Sequence, residues 1–589
     1  VREFDLIVSG GLVFDGRGGE GQRLDVGVRD GDVVALSAAP LRAGEGTTVV
    51  DATGCWVTPG FIDLHTHYDA EVEVAPGLDE SVRHGVTTAV IGSCSLSLAV
   101  GDPDDLADMF CRVEAIPDDV VRPILQSKKT WHTHREYLQH LDTLPLGPNL
   151  ASFVGHSALR AHVMGLARSV EPGVVPTDDE LSSMEQIVED ALDAGYLGVS
   201  LMTLPWDKLG GTGPLRSRPL PSTYATWSEL RRFTRILRRR GRVLQAVPNL
   251  SRSNFLAFLV ESMGIVRAPL KTTVLSMAEV KAVPGLHRVL GALSRVFNVL
   301  LDADFRWQAL PNLFDLWGDG IDLVVFEEFG AGAAALHLQS EVERGALLNN
   351  PAYRARFKRE WKSLLLPKVF HRDFNESEIL ACPDTSLVGQ SFVDVGRARG
   401  VDAVDAFLDL VVAYGKQLRW YTVHGNARLS SIHQIMSHPD VLIGFSDAGA
   451  HLRQMAHYNF PLRMLRHAND ALNVGRPVMS IGRAVQRCTS EIATWLGLDA
   501  GVLAMGRRAD VVVLDPRFLD ARVEVAHEAP IAGFGDHQRL VRRNAELVRR
   551  VFIGGKAAVV DGVPVDALGR ERFGRVRRAT APATPAPAR

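Results

Sequence analysis

A parallel (β/α)8 barrel flanked by a small antiparallel β domain is the α/β fold class that this sequence predicts. Two patterns carry it. From about residue 59, short apolar runs alternate with helical stretches, which is the signature of βα units on a parallel sheet, whereas the first sixty residues and the stretch after Ala509 read as short strands separated by glycine turns. A length of 589 residues with 46% hydrophobic and 23% charged residues is ordinary globular usage, sufficient for one large barrel with an appendage.

The amino-terminal strands are expected at 5–8, 11–14, 25–29, 33–36 and 48–51, with tight hairpins at Gly10-Gly11 and Asp30-Gly31. Barrel strands are expected at 61–64, 87–91, 151–155, 197–201, 243–247, 272–276, 299–302 and 441–445. Thr177 with Glu180, and Thr226 with Glu229, have the spacing of reciprocal helix caps. After Ala509 the run Asp510-Val511-Val512-Val513-Leu514 returns to strand. The expected organisation is a first β part over 1–58, the barrel over 59–500 with an insertion at about 304–440 forming one wall of the site, a second β part over 501–569, and a tail over 570–589. That tail, basic and then rich in Ala, Pro and Thr, lacks aliphatic bulk and is expected to be disordered.

Charge and cysteine usage exclude several classes of function. Lys and Arg number 65 against 69 Asp and Glu, a net charge of −4, so no global basic field is present to attract nucleic acid. Five scattered cysteines do not make a disulfide framework, and a reducing cytoplasm is the expected setting. No apolar window of about 18 residues points to a membrane span, and the first residues do not read as a signal peptide. A small-molecule substrate is the expected partner, with room left for a homo-oligomer.

The chemistry concentrates at strand ends. In Gly60-Phe61-Ile62-Asp63-Leu64-His65-Thr66-His67, alternate residues of a strand share a face, so His65 and His67 present two imidazoles together, a pairing that suits a divalent metal, zinc first. The Gly85 to Ile91 run delivers Cys94, whose thiolate can ligate a metal, although a free cysteine is more often a small buried hydrophobe. Asp447, in Ser446-Asp447-Ala448-Gly449, closes the last strand and can act as an acid and base beside a metal; an isolated Asp there would otherwise cap a turn.

These motifs, together with Gly155-His156-Ser157-Ala158-Leu159-Arg160 and Gly506-Arg507-Arg508-Ala509-Asp510-Val511, resemble the amidohydrolase superfamily, in the branch of the D-aminoacylases or N-acyl-D-amino-acid deacylases. The resemblance runs in order from about residue 4 to 560. It implies a metal-dependent, TIM-like (β/α)8 barrel with a β-sandwich built from both chain ends. It further implies His65, His67 and Cys94 as metal ligands, with Asp447 both a ligand and the catalytic acid/base. The sequence departs from the branch where two further metal histidines are expected, at the ends of strands 5 and 6: Arg242 to Asn249 and Lys271 to Met277 contain none. The count of one or two ions is therefore open, and Gln245, Asn249, Lys271, His424 and His451 are the candidate substitutes. His156 and Arg160 are read as substrate-contacting or supporting residues. Arg306 and Trp307 occupy the place of a substrate-binding stretch, where Arg306 could pair with a carboxylate.

Three functions compete on this evidence. The first is hydrolysis of a linear amide, a non-peptide carbon-nitrogen bond, by metal-activated water with an Asp acid/base. The second is a diverged cyclase or lyase on the same barrel, for which the absent histidines and Trp206, Trp307 and Trp420 near strand ends argue. The third is a non-catalytic binding protein of the same fold.

Overall fold

The computed structural model describes residues 3–112, 114–249, 251–363 and 368–580. Its centre is a barrel of eight parallel strands: β1 (Phe61–Asp63), β2 (Val86–Ile91), β3 (Asn149–Ser152, continued as Val154–Gly155), β4 (Gly198–Met202), β5 (Val243–Val247), β6 (Thr272–Leu275), β7 (Phe305–Ala309) and β8 (Val441–Ile443). Pairing runs β1 to β2 to β3 and then β3 through β8. The seam between β8 and β1 closes through Leu64 N–H donating to Gly444 O (3.0 Å) and His67 N–H donating to Ala448 O (2.7 Å). The strand ends that carry the chemistry are thus also the ones that shut the barrel.

Seven of these strands overlap the expected positions, and the seventh does not. Residues 299 and 300 belong to the end of the helix Leu286–Leu300, with both side chains exposed, and β7 begins at Phe305. The Val-Leu-Leu run imitates a strand, whereas the amphipathic strand Phe-Arg-Trp-Gln-Ala alternates and is broken by charge. Its apolar residues pack outward, Trp307 stacking on Phe255 at 5.3 Å.

Both chain ends build one nine-stranded sheet in which Val511–Leu514 pairs antiparallel with Trp56–Pro59. Asp30 and Gly31 make the expected hairpin, both with positive φ. Gly10-Gly11 does not: Leu6–Val13 is a single strand with a bulge, where Gly10 takes φ +72° and a Cβ on Gly11 would lie 2.4 Å from Val57. The expected disordered tail is corrected as well. Residues 570–580 pack along the barrel, with Phe573 and Val576 buried and Arg577 paired with Asp510. Leu150 N–H donates to Arg575 O, and Arg577 N–H to Leu150 O, so backbone pairing supplies what composition does not reveal. The rest of that tail lies outside the described residues.

Between β7 and β8 the chain makes its own layer, a sheet of Phe314–Asp319, Arg419–Gly425 and Ser377–Ala381 with the helices Gly330–His337, Glu341–Asn349, Pro351–Trp361, Phe392–Arg399 and Ala403–Tyr414. Rings of Phe326, Phe374 and Trp420 pack around Phe407 in its core, Phe326 stacked on it and Trp420 edge-on. Among the described residues no helix is long and apolar enough to cross a membrane.

Candidate active site

Beyond β1 the chain stays extended, so His65 and His67 face the barrel mouth on the same side, ring centroids 5.3 Å apart. The three donors of His65, His67 and Cys94 lie within 4.8 Å of one another, all buried. His65 Nε2 is 3.2 Å from Cys94 Sγ and 3.4 Å from Asp447 Oδ1, and His67 Nε2 is 3.8 Å from the same carboxylate oxygen. Cys94, Ser95 and Asp447 have φ of 51°, 68° and 53°. Left-handed backbone costs a residue with a side chain about 1 to 3 kcal/mol, so the surrounding structure must hold these turns. It does so with Ser95 N–H on Ser200 Oγ (3.0 Å), Ser95 Oγ on Ser157 Oγ (2.7 Å) and Ser446 Oγ on Asp63 Oδ2.

Support for the imidazoles comes from the opposite wall. His65 Nδ1–H donates to Gln308 Oε1 at 2.7 Å, which leaves Nε2 as the lone-pair nitrogen facing Cys94 and Asp447. Gln245 Oε1 accepts from Cys94 N–H at 3.2 Å.

The electrostatics are unusual for a protein interior. Asp63, Asp69, Glu114 and Asp207 are buried around the mouth beside the partly exposed Asp447, and among the described residues none of the five has a Lys or Arg within 4 Å. Burial pushes Asp63 and Asp69 up to about 7. Burial and then neighbouring carboxylates drive Glu114 and Asp447 well above the usual carboxylate range and raise the Cys94 thiol. Burial also lowers His65 to about 4, and His67 well below its ordinary value with His65 and His451 adding to the effect. The close approaches of Asp447 to the imidazoles are therefore contacts of neutral rings, not ion pairs. Buried charges are tolerated when paired or bound to metal, and a cation is the partner missing from this set.

The remaining sequence candidates separate sharply. His451 belongs near the cluster: its field depresses His67, and its backbone N–H donates to Glu114 O at 2.6 Å. His156 and Arg160 lie behind the Cys94 turn, both bonded to Glu229, with His156 Nδ1 2.9 Å from Ser222 Oγ. That bonding explains why Thr226 caps its helix without a reciprocal bond from Glu229, whereas Thr177 and Glu180 form the full capping box. Arg306 and Trp307 are corrections: Arg306 pairs with Asp440 (3.0 Å) near the amino end of β8, and Trp307 packs outward. Lys271 donates to Trp495 O, and Asn249 accepts from Ser251. His424 sits in the insertion against Phe314 and Phe370. Trp420 is buried in the insertion core and Trp307 packs against Phe255, so neither ring is placed at the mouth as a cyclase would need.

Sequence reasoning missed Glu114, Asp207 and Gln308. Glu114 and Asp207 lie in loops without periodic pattern and give no signal. Gln308 was hidden by the displaced seventh strand; the alternation of Phe305, Trp307 and Ala309 with Arg306 and Gln308 would have exposed it. A cavity of about 620 Å³ opens between these loops and the insertion, lined by Arg112, Ala115, Leu452 and Arg453, the neighbours of Glu114 and His451, and by Leu323 and Glu327.

Residues 48–205 match the amidohydrolase family. An uncharacterized protein of Mycobacterium tuberculosis is 47% identical over 557 residues, 94% of this chain and 91% of that protein. An N-acyl-D-aspartate deacylase of Alcaligenes xylosoxydans xylosoxydans is 34% identical over 34% of this chain and 36% of its own length. A D-aminoacylase of the same organism is 29% identical over 52% and 57%. Among solved structures, a D-aminoacylase studied for its binuclear metal centre superposes with a TM-score of 0.62 at 23% identity, covering 98% of this chain and all of that one. An N-acyl-D-glutamate deacylase from Bordetella bronchiseptica, complexed with zinc and a phosphonate inhibitor, gives 0.62 at 22% with coverage of 98% and 100%. At these identities the solved structures speak to the fold, a TIM-type barrel with a β domain. The chain belongs to the amidohydrolase family. It is a hydrolase acting on carbon-nitrogen bonds other than peptide bonds.

Proposed function

We propose that the chain is a metal-dependent deacylase that hydrolyses the linear amide of an N-acylated amino acid, similar to the N-acyl-D-amino-acid deacylases. The observation that carries this reading is the convergence of His65, His67, Cys94 and Asp447 among buried carboxylates that, among the described residues, have no Lys or Arg within 4 Å. Two imidazoles, a thiol and carboxylates form a donor set that suits zinc. The names of the partial relatives, N-acyl-D-aspartate deacylase and D-aminoacylase, support the substrate class. We assign one ion, because Gln245 and Thr273 offer an amide and a hydroxyl on β5 and β6, which are poor zinc donors. Five free cysteines accord with a reducing, cytoplasmic setting.

A divalent ion held by His65, His67 and Cys94 would supply the Lewis acidity that an unactivated amide requires at neutral pH. Asp447, at the mouth and with no hydrogen bond to Oδ1 among the described residues, accepts the proton of the attacking water and hands it to the leaving nitrogen. Gln308 keeps the His65 tautomer fixed, and the Ser446 bond to Asp63 holds the turn that aims Asp447.

Asp447→Asn is the direct test. Turnover of N-acyl amino acids should fall by about 10² to 10⁴, the usual worth of a general acid/base, with zinc content retained by elemental analysis. An unchanged rate would remove Asp447 from the mechanism. Hydrolysis in labelled water must also place the label in the released acid; an unlabelled, dehydrated product would favour cyclisation instead.

A further inference from the structure

We propose that Glu114 is itself a metal ligand, occupying coordination space that the histidine-free β5 and β6 leave open. The inference rests on the metal-dependent reading above. Its basis is which nitrogen of each imidazole meets which group. His65 meets Cys94 and Asp447 through Nε2 and its supporting amide, Gln308, through Nδ1. His67 approaches Asp447 through Nε2, and Glu114 Oε2 lies 3.4 Å from that same Nε2, while Nδ1 is buried and has no hydrogen-bond partner among the described residues. A carboxylate that merely oriented His67 would sit on Nδ1, where second partners of metal-bound histidines are found. Glu114 sits on the face of the ring that looks at the other donors.

The spacing agrees. Zinc with nitrogen and oxygen donors at about 2.0 to 2.1 Å in a tetrahedron separates neighbouring donors by roughly 3.4 Å. His67 Nε2 to Glu114 Oε2 is 3.4 Å, His65 Nε2 to Asp447 Oδ1 is 3.4 Å and His67 Nε2 to Asp447 Oδ1 is 3.8 Å. Glu114 is 2% exposed with no Lys or Arg beside it among the described residues. The Cys94 thiolate and the Glu114 carboxylate together balance a divalent ion, which leaves Asp447 for proton transfer.

The loop that bears Glu114 is held from both sides. Its carbonyl accepts from His451 N–H, four residues beyond Asp447, so the loops carrying the two carboxylates are tied together. On the other flank Arg112 Nε donates to Glu327 of the insertion at 2.8 Å, and Lys208 Nζ reaches the same carboxylate at 2.6 Å. A side chain clamped in this way reaches the imidazoles with little ordering left to do.

Zinc affinity, read by competition with a chelating dye, tests this on the full chain stripped of metal. For Glu114→Gln the expected loss exceeds about a hundredfold, above the range of 10 to 100 typical of a partner that only orients a ligand. A loss of a hundredfold or less overturns the assignment. Glu114→Asp keeps the charge but withdraws the carboxylate by one methylene; a loss of more than tenfold and an altered visible spectrum of the Co²⁺ form are expected. Unchanged affinity and spectrum there would make the role purely electrostatic and overturn the proposal, and this second variant decides if the first does not fold by circular dichroism. Absence of zinc binding by the unsubstituted chain overturns the metal reading and this inference together, whereas normal binding there with normal binding in both variants removes Glu114 alone.

Discussion

The two halves of the barrel mouth share a geometry and differ in chemistry. On β1, β2 and β8 the strand ends present His65, His67, Cys94 and Asp447; on β5, β6 and β7 the inward positions hold Gln245, Thr273 and Gln308. All are buried or nearly so. One half offers neutral imidazoles and acids that ligate or take up charge once deprotonated, and the other offers neutral amides and a hydroxyl whose reach is a hydrogen bond. Gln308 and Gln245 spend theirs on His65 Nδ1 and on the Cys94 backbone. The second half is thus a brace for the first, and the same strand periodicity serves coordination on one side and orientation on the other.

That division of labour can be broken most severely at the donor half. His65→Ala with His67→Ala should lower bound zinc from one equivalent to none and turnover to background, read by elemental analysis and product assay; one retained equivalent would show that the ion is held elsewhere. The brace is the next test. Gln308→Leu removes the acceptor for His65 Nδ1 and should cost about 10 to 100-fold in zinc affinity, and an unchanged affinity would make Gln308 a packing residue. The mildest perturbation, which changes no residue, is the pH dependence of metal binding. Without metal, Asp63, Asp69 and Asp207 hold their protons up to about 7, and burial with neighbouring carboxylates raises Glu114, Asp447 and Cys94 well above their ordinary ranges, while His65, at about 4, is already neutral. Zinc takes deprotonated ligands, so binding releases protons and affinity rises with pH, about tenfold per unit for each proton released between pH 6 and 8. Calorimetry in buffers of different ionisation enthalpy reads that number directly, and a flat profile would mean the carboxylates are already charged.

The donor half was legible because each of its motifs is local: two histidines one residue apart on an apolar strand, a cysteine past a Gly-Val-Thr-Thr strand, an aspartate before small residues. The bracing half was not. An inward glutamine on β7 carries no motif, and the helical run at 299 and 300 drew the strand away from it. Arg306 reads as an anion binder from its type alone, yet it shares the inward face of Gln308 two residues earlier, about 6.6 Å toward the amino end, and pairs there with Asp440. Glu229 reads as a capping residue and is instead claimed by His156 and Arg160, because a buried arginine requires a charge partner more than a helix end requires a second bond.

By itself the sequence determined the alternation of strand and helix, the β ends, and the imidazole pair with its thiol and carboxylate, since these follow from periods of two and of 3.6 within short windows. Only the tertiary structure decided which groups meet. Closing β8 onto β1 brings Asp447 to His65, the loop after β2 brings Glu114 to the open face of His67, and β7 brings Gln308 to the far side of His65. Those pairings depend on barrel closure and on loops fixed by distant partners, and nothing in a local window of residues encodes either.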